Sequence, residues 1–237
     1  MAQDTNNRVL RALPDATRRQ AMARMERVTL EGRVMLDRSG EATRTVHFPE
    51  TAVISTIATY RDGSSIEMAN IGREACTGIG LTLGHPRQLS TNEVQIGGEA
   101  LQIGADAFDS LMDSLPAFRT ALFSTVQAIF YQVMVSGACN GAHDSRQRLA
   151  RWLLTMYDRN DHATMPLTHD FLAEMLGVRR ATVSETAAGL QSDGLISYSR
   201  GQVTVTDADG LRETSCECYD LVRDAYDTLL PDKSGTS

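Results

Sequence analysis

Lysine is all but missing from this chain of 237 residues: Lys233 is the only one, against 22 arginines. Such a bias follows GC-rich coding and by itself points to no function. Cysteine is limited to Cys76, Cys139, Cys216 and Cys218, too few in a chain of this length for a disulfide scaffold. The first eight residues hold no apolar stretch of the kind a secretory signal needs. Nowhere is there an uninterrupted apolar run of about 18 residues, so no transmembrane helix is expected and the chain is read as cytoplasmic, without a membrane partner. Positive charge is also in deficit. The formal net charge is −7, which at first argues against nucleic acid as a partner. What is present is ordinary for a globular chain: 42% apolar and 22% charged residues exclude collagen-like, disordered and low-complexity architectures.

The texture changes along the chain. Val28–Leu36, Thr45–Phe48, Ala52–Tyr60, Ser65–Ala69, Cys76–Leu83, Leu89–Ile96 and Ala100–Ile103 read as short strands separated by turn residues. Regular spacing of this kind suggests an antiparallel roll, with Asp62-Gly63 as the strongest hairpin signal. After Gly104 a short helix leads to Pro116, a residue tolerated in a first helical turn. From Ala117 to about Cys139 no turn residue intervenes before Gly137, so a helix of roughly six turns is expected. Its apolar positions cover more than one face, so it must be buried on more than one side. It is either a central core helix, or a helix packed on its own roll and on a symmetry mate. Helices are then expected over Ser145–Asp158 and, near the end, Asp209–Leu230, followed by a polar tail. The class is therefore α+β: a β-roll over residues 1–115, a long helix over 116–143, and a carboxy-terminal unit over 144–237.

That last unit holds the informative segment, Leu167 to Leu190. Thr168 can cap a first helix, Phe171, Leu172 and Met175 line one face of it, and Gly177 suits a tight turn. A second helix buries Val183, Ala187 and Leu190 while Arg180, Ala181, Ser184 and Glu185 point outward. A hairpin around Arg200-Gly201 follows. Scaffold helix, glycine turn, probe helix and β-wing in this order make a winged helix-turn-helix.

With that segment in place, the layout resembles the CRP/FNR superfamily of bacterial transcription regulators, in a branch whose cyclic-nucleotide-binding-like domain is degenerate. The anchors are Leu167–Leu190, the Leu195-Ile196 wing strand and Arg148-Leu149-Ala150-Arg151-Trp152-Leu153-Leu154. In the roll, His47-Phe48-Pro49, Asp62-Gly63 and Ile71-Gly72-Arg73-Glu74 add to it. The resemblance implies a homodimer joined through the 116–139 helix, reading a palindromic operator in double-stranded DNA. It adds RNA polymerase as a candidate partner. On the recognition helix, Arg180, Ser184 and Glu185 become the base-reading residues, Arg180 toward guanine and Glu185 toward cytosine. Thr168, His169, Arg179, Thr182 and Arg200 become phosphate contacts, which position the protein rather than specify sequence. Ala181 and Glu185 stand where the family usually has glutamate and arginine, so the family's usual half-site is not expected.

No cofactor is expected. The family's nucleotide cassette pairs a glutamate with an arginine, but Gly78 stands at the family's spacing before Arg87, and Glu74 lies farther off. No cysteine precedes Cys76, unlike the amino-terminal iron–sulfur cluster of the family's oxygen sensors. Cys216 and Cys218, taken on one helix, point roughly 100° apart and are poorly placed to chelate together. Cys139 and His143 would share a face only if the long helix runs through Gly141. Metal is thus not expected, and the effector remains unassigned. No nucleophile–base constellation suggests an enzyme. The alternative function is a small-molecule or redox/metal sensor acting through protein contacts, with a vestigial DNA-binding domain.

The charge deficit is local. Residues 145–202 carry seven arginines against six acids, whereas residues 207–232 carry eight acids against two arginines. The acidity belongs to the carboxy-terminal helix, which either faces away from DNA or competes with it for the basic face.

Overall fold

The computed structural model describes residues 5–231. The limits expected at 1–4 and 232–237, and the polar tail with them, lie outside the described residues. Two short helices, α1 (Arg8–Arg11) and α2 (Asp15–Met22), lead into the strands β1 (Glu26–Leu30), β2 (Met35–Asp37), β3 (Thr45–Pro49), β4 (Val53–Thr59) and β5 (Ser65–Ile71). A single helical turn, α3 (Ile79–Thr82), separates these from β6 (Thr91–Ile96) and β7 (Gly98–Gly104). All pairings are antiparallel, in two sheets ordered β1-β7-β3 and β2-β6-β4-β5. Between them lies a core that includes Val46, Phe48, Ile54, Ile71, Val94, Leu101 and Ile103. The Asp62-Gly63 hairpin forms as expected: Gly63 has φ +84° and Asp62 Oδ1 accepts from the Ser64 N–H at 3.0 Å.

Two expected strands are corrected. Val28–Leu36 is not continuous: a turn with Arg33 in left-handed backbone (φ +72°) divides it between β1 and β2. Cys76–Leu83 is not extended: the chain turns at Gly78 (φ +80°), a left-handed conformation foreign to a strand, and then makes α3. The apolar side chain of Leu81 still enters the roll core, which is why its sequence reads like a buried strand.

From the roll the chain runs through α4 (Ala105–Ser114) into α5 (Pro116–Ala142). Pro116 occupies the first turn, and the helix continues through Gly137 and Gly141. One side of α5 buries Phe118, Leu122, Thr125, Ile129, Gln132 and Val135. The other leaves Phe123, Phe130, Val133 and Met134 open, at 38–63% exposure. By length and composition α5 could cross a membrane, but its buried side packs on the roll and on the last helix of the chain.

The remaining elements are α6 (Ser145–Arg159), β8 (Thr164–Met165), α7 (His169–Leu176), α8 (Arg180–Ser192), β9 (Ile196–Ser199), β10 (Gln202–Val205), α9 (Ala208–Thr214) and α10 (Cys218–Leu229). Asp144 caps α6 in a capping box with Gln147. The single helix expected over Asp209–Leu230 is corrected to two. Asp207 caps α9, and the chain leaves helical geometry at Ser215 (ψ 162°) before α10 begins. The amphipathic pattern continues across a break that no glycine or proline marks.

A buried polar network joins the two halves at β5. Asn70 Oδ1 accepts from Arg159 Nη1, and Arg159 Nη2 forms an ion pair with Glu74. Asn70 Oδ1 and its backbone carbonyl each accept from Gln132 Nε2 at 3.0 Å, and Gln132 Oε1 accepts from the Tyr226 hydroxyl at 3.0 Å. Glu67 Oε1 accepts from Trp152 Nε1 at 3.0 Å and from Asn70 Nδ2 at 2.9 Å. Roll, α5, α6 and α10 thus share one set of hydrogen bonds. Replacing Asn70 with alanine leaves the buried Arg159 Nη1 without its acceptor, while Gln132 keeps only the backbone carbonyl of residue 70, so Asn70→Ala should lower unfolding free energy by about 3 kcal/mol. Urea unfolding measures this, and a loss under about 0.5 kcal/mol, the size of an ordinary surface substitution, would show the network to be slack.

Candidate nucleic-acid interface

The carboxy-terminal core is built from Leu149, Trp152, Leu153 and Met156 on α6, Leu172, Met175 and Leu176 on α7, and Val183, Ala187 and Leu190 on α8. Val203 and Val205 of β10 close it, and Val53 and Ile96 from the roll reach into it. The Thr168 hydroxyl caps α7 by accepting from the Phe171 N–H at 3.2 Å. Gly177, at φ +61°, turns the chain from α7 into α8, as its place in the sequence suggests. Arg148 reinforces the turn by donating to the Leu176 carbonyl at the end of α7. β9 and β10 pair from Ser199–Gln202 to Ile196–Val205. The two residues between them, Arg200 (φ +51°) and Gly201 (φ +76°), are both left-handed, the geometry of a tight hairpin turn. β8 adds a third strand beside β10.

This frame sets the outward residues. Arg180, Ala181, Glu185 and Ala188 are exposed along α8, while Ser184 is half-buried. Arg179 precedes the first turn of α8 in extended backbone, and its exposed side chain makes no cap of its own. Thr182 is half-buried and Arg200 is exposed at the wing tip. Thr168 lies against that tip: a Cβ on Gly201 would come within 3.3 Å of its methyl group. The start of α7, the start of α8 and the wing therefore converge.

Two contacts there have no counterpart in the sequence reading. Arg180 Nε pairs with Asp170 Oδ1 at 2.9 Å, with both side chains largely exposed, so solvent screens the pair. His169 Nδ1 lies 2.9 Å from the Ser184 hydroxyl, which also donates to the Arg180 carbonyl at 3.1 Å. The imidazole stacks on Tyr198 of the wing, with ring centroids 4.2 Å apart and planes at 23°. His169 is thus held among α7, α8 and β9. Tyr198 could have been found from period-two alternation, since it shares a strand face with buried Ile196. Asp170 carried no signal beyond lying in the first turn of a helix.

Elsewhere, the two residues weighed for a cyclic nucleotide stand apart. Arg87 is exposed in an edge segment bridged to Ala42, whereas Glu74 is buried in its pair with Arg159. A cavity of about 330 Å³ opens between β5, α5, α6 and α10, with Arg73, Gln132, Arg151 and Arg223 in its wall.

Residues 147–214 match the family described as the Crp-like helix-turn-helix domain. No curated protein matches the chain. Solved structures do. A CRP-family transcriptional regulator from Thermus thermophilus is 21% identical, with 81% of this chain and 96% of that one aligned at a TM-score of 0.64. The c-di-GMP-responsive global regulator CLP of Xanthomonas campestris is 17% identical, covering 81% and 99% at a TM-score of 0.62. A CRP/FNR-family transcriptional regulator, also from Thermus thermophilus, is 16% identical, covering 80% and 98% at a TM-score of 0.63. The fold is that of these CRP/FNR-family structures, a mixed roll-and-helix body ending in a helix-turn-helix unit. Within that fold, residues 147–214 are the part that matches the Crp-like helix-turn-helix domain.

Burial lowers the His169 pKa from 6.5, the Arg180 charge lowers it further, and Asp170 opposes both. The histidine is neutral at neutral pH. Below pH 6.5 the unfolded chain takes up this proton before the folded one, so stability declines as pH falls through that range. NMR titration should place His169 below 6.5, with Arg180→Ala moving it up and Asp170→Asn moving it down. Unchanged values in both variants would contradict the arrangement described.

Proposed function

We propose that this chain is a homodimeric, sequence-specific transcription regulator that reads an inverted repeat in double-stranded DNA through α8. The observation that carries the reading is a convergence of elements. An exposed polar face on α8, a buried opposite face and a wing tip with Arg200 meet at one end of the carboxy-terminal unit. Arg180 reads bases after exchanging Asp170 for a guanine edge, a swap that a screened pair permits. Glu185 is exposed further along α8, roughly 140° around the helix from Arg180 and one turn beyond Ala181. Arg179, Arg200, Thr182 and Thr168 meet phosphates, helped by the free N–H groups at the start of α8. His169 serves chiefly by fixing Ser184 and the wing, because a neutral, stacked imidazole brings no charge to a phosphate.

Dimerisation rests on the open side of α5. Phe123, Phe130 and Met134 follow one another at spacings of four or seven, the period of a seam between parallel helices. α10 packs chiefly on α5, which favours the version in which the carboxy-terminal acids stay clear of DNA. A controlling signal acting in the cavity at the β5–α6 junction would bear directly on α6, the base of the reading unit. RNA polymerase remains a candidate partner, and nothing in the site favours an enzyme.

Selection from random duplexes by the full-length protein should enrich a two-fold symmetric site. On that site Arg180→Ala should cost about 1–3 kcal/mol and relax one symmetric position, whereas Arg200→Ala should weaken all sequences alike and reduce the salt slope by about one. Failure to enrich any site, with no salt-sensitive binding, would favour the protein-contact sensor instead. Light scattering should give a dimer for the native chain and a folded monomer for the double variant Phe130→Glu, Met134→Glu. A native monomer would contradict the α5 seam.

A further inference from the structure

Four residues that the sequence scatters over two regions meet at the end of α5. The Sγ atoms of Cys139, Cys216 and Cys218 and a ring nitrogen of His143 all lie within 4.8 Å of one another. Cys139 sits in the last turns of α5, and His143 is its cap residue. Cys216 lies in the break between α9 and α10, and Cys218 opens α10. The break removes the objection to the Cys216/Cys218 pair, because the two are not on one continuous helix and both reach the same point. The condition on Cys139 and His143 is also met, since α5 continues to Ala142.

The distances suit a single ion. Zinc with thiolates at about 2.3 Å and imidazole at about 2.0–2.1 Å in a tetrahedron sets its ligand atoms roughly 3.5–3.8 Å apart. Cys139 Sγ lies 3.5 Å from Cys216 Sγ, and Cys218 Sγ lies 3.6 Å from His143 Nδ1, which are two opposite edges of such a tetrahedron. An iron–sulfur cluster spans several metal atoms and holds its cysteine sulfurs farther apart than one ion does. A second observation points the same way. The other imidazole nitrogen, Nε2, is 3.2 Å from Glu217 Oε2, the outer-sphere carboxylate that orients ligating histidines and fixes their tautomer. All three thiols are nearly closed to solvent, at 0%, 3% and 5% exposure.

We infer that Cys139, His143, Cys216 and Cys218 form a structural zinc site that fastens the end of α5 to the α9–α10 break. With four protein ligands and no open position, the site is built to hold rather than to catalyse. Its effect is to fix where α10 lies along α5 and thereby the hinge from which α6 starts. The inference stands apart from the DNA-binding reading and survives or fails without it.

Protein purified under reducing conditions, then given Zn(II) and desalted, should carry about one zinc per chain by mass spectrometry of the metal. A mercurial thiol reagent should release it from the folded native chain, and Co(II) in its place should show tetrahedral visible bands with a thiolate charge-transfer band. Cys216→Ser and Cys218→Ser should lose the metal. His143→Cys should keep it, and Cys76→Ser, at a buried thiol outside the cluster, should leave it unchanged. Chelation should lower the Tm of the native chain but not of Cys216→Ser. Native protein that takes up neither Zn(II) nor Co(II), or that holds iron with sulfide, would overturn the inference. So would a Cys139–Cys216 disulfide persisting in the reduced preparation.

Discussion

Asn70 is the point at which the halves of this chain are tied. Arg159 is buried, with Glu74 neutralising its charge and Asn70 Oδ1 accepting from its Nη1. The same asparagine accepts twice from the Gln132 amide, and through Gln132 it reaches Tyr226 on α10. A buried network of this kind is costly when partly satisfied and rigid when complete. Here it fixes α6 against the roll. Because α6 also supplies Leu149, Trp152, Leu153 and Met156 to the helix-turn-helix core, hydrogen bonds made by Trp152 and Arg159 bear on the position of α8.

Much of this was legible in the residues. The strands of the roll, the hairpin at Asp62-Gly63, the capped start of α7, the Gly177 turn and the wing at Arg200-Gly201 are local features, each written in a few neighbouring positions. The errors were local as well. Cys76–Leu83 looked like a strand because a buried helical turn and a buried strand show the same short apolar run. Asp209–Leu230 looked continuous because the break at Ser215 is made by an ordinary residue, and tertiary packing rather than propensity ends α9.

The site divides along the same line. Arg180, Ser184 and Glu185 follow from helical spacing on α8, and their outward or half-outward placement needed nothing but that periodicity. The Arg180–Asp170 pair, the His169–Tyr198 stack and the Asn70 network join residues from different elements, for which spacing gives no hint. The cysteine–histidine cluster is the clearest case. Cys139 and Cys216 are 77 positions apart, and they meet only because α10 lies back along α5. The acidity that first argued against DNA resolves in the same way, since most of it is carried on elements packed on α5 and α6 rather than on α8.

The central claim is that α8 of each of two protomers enters the major groove. Hydroxyl-radical footprinting of the full-length protein on its selected site tests it most directly. Two-fold related protections centred about 34 Å apart along the duplex are expected, one helical turn as a symmetric pair of recognition helices requires. A single protected patch, or protection without two-fold symmetry, would contradict the account.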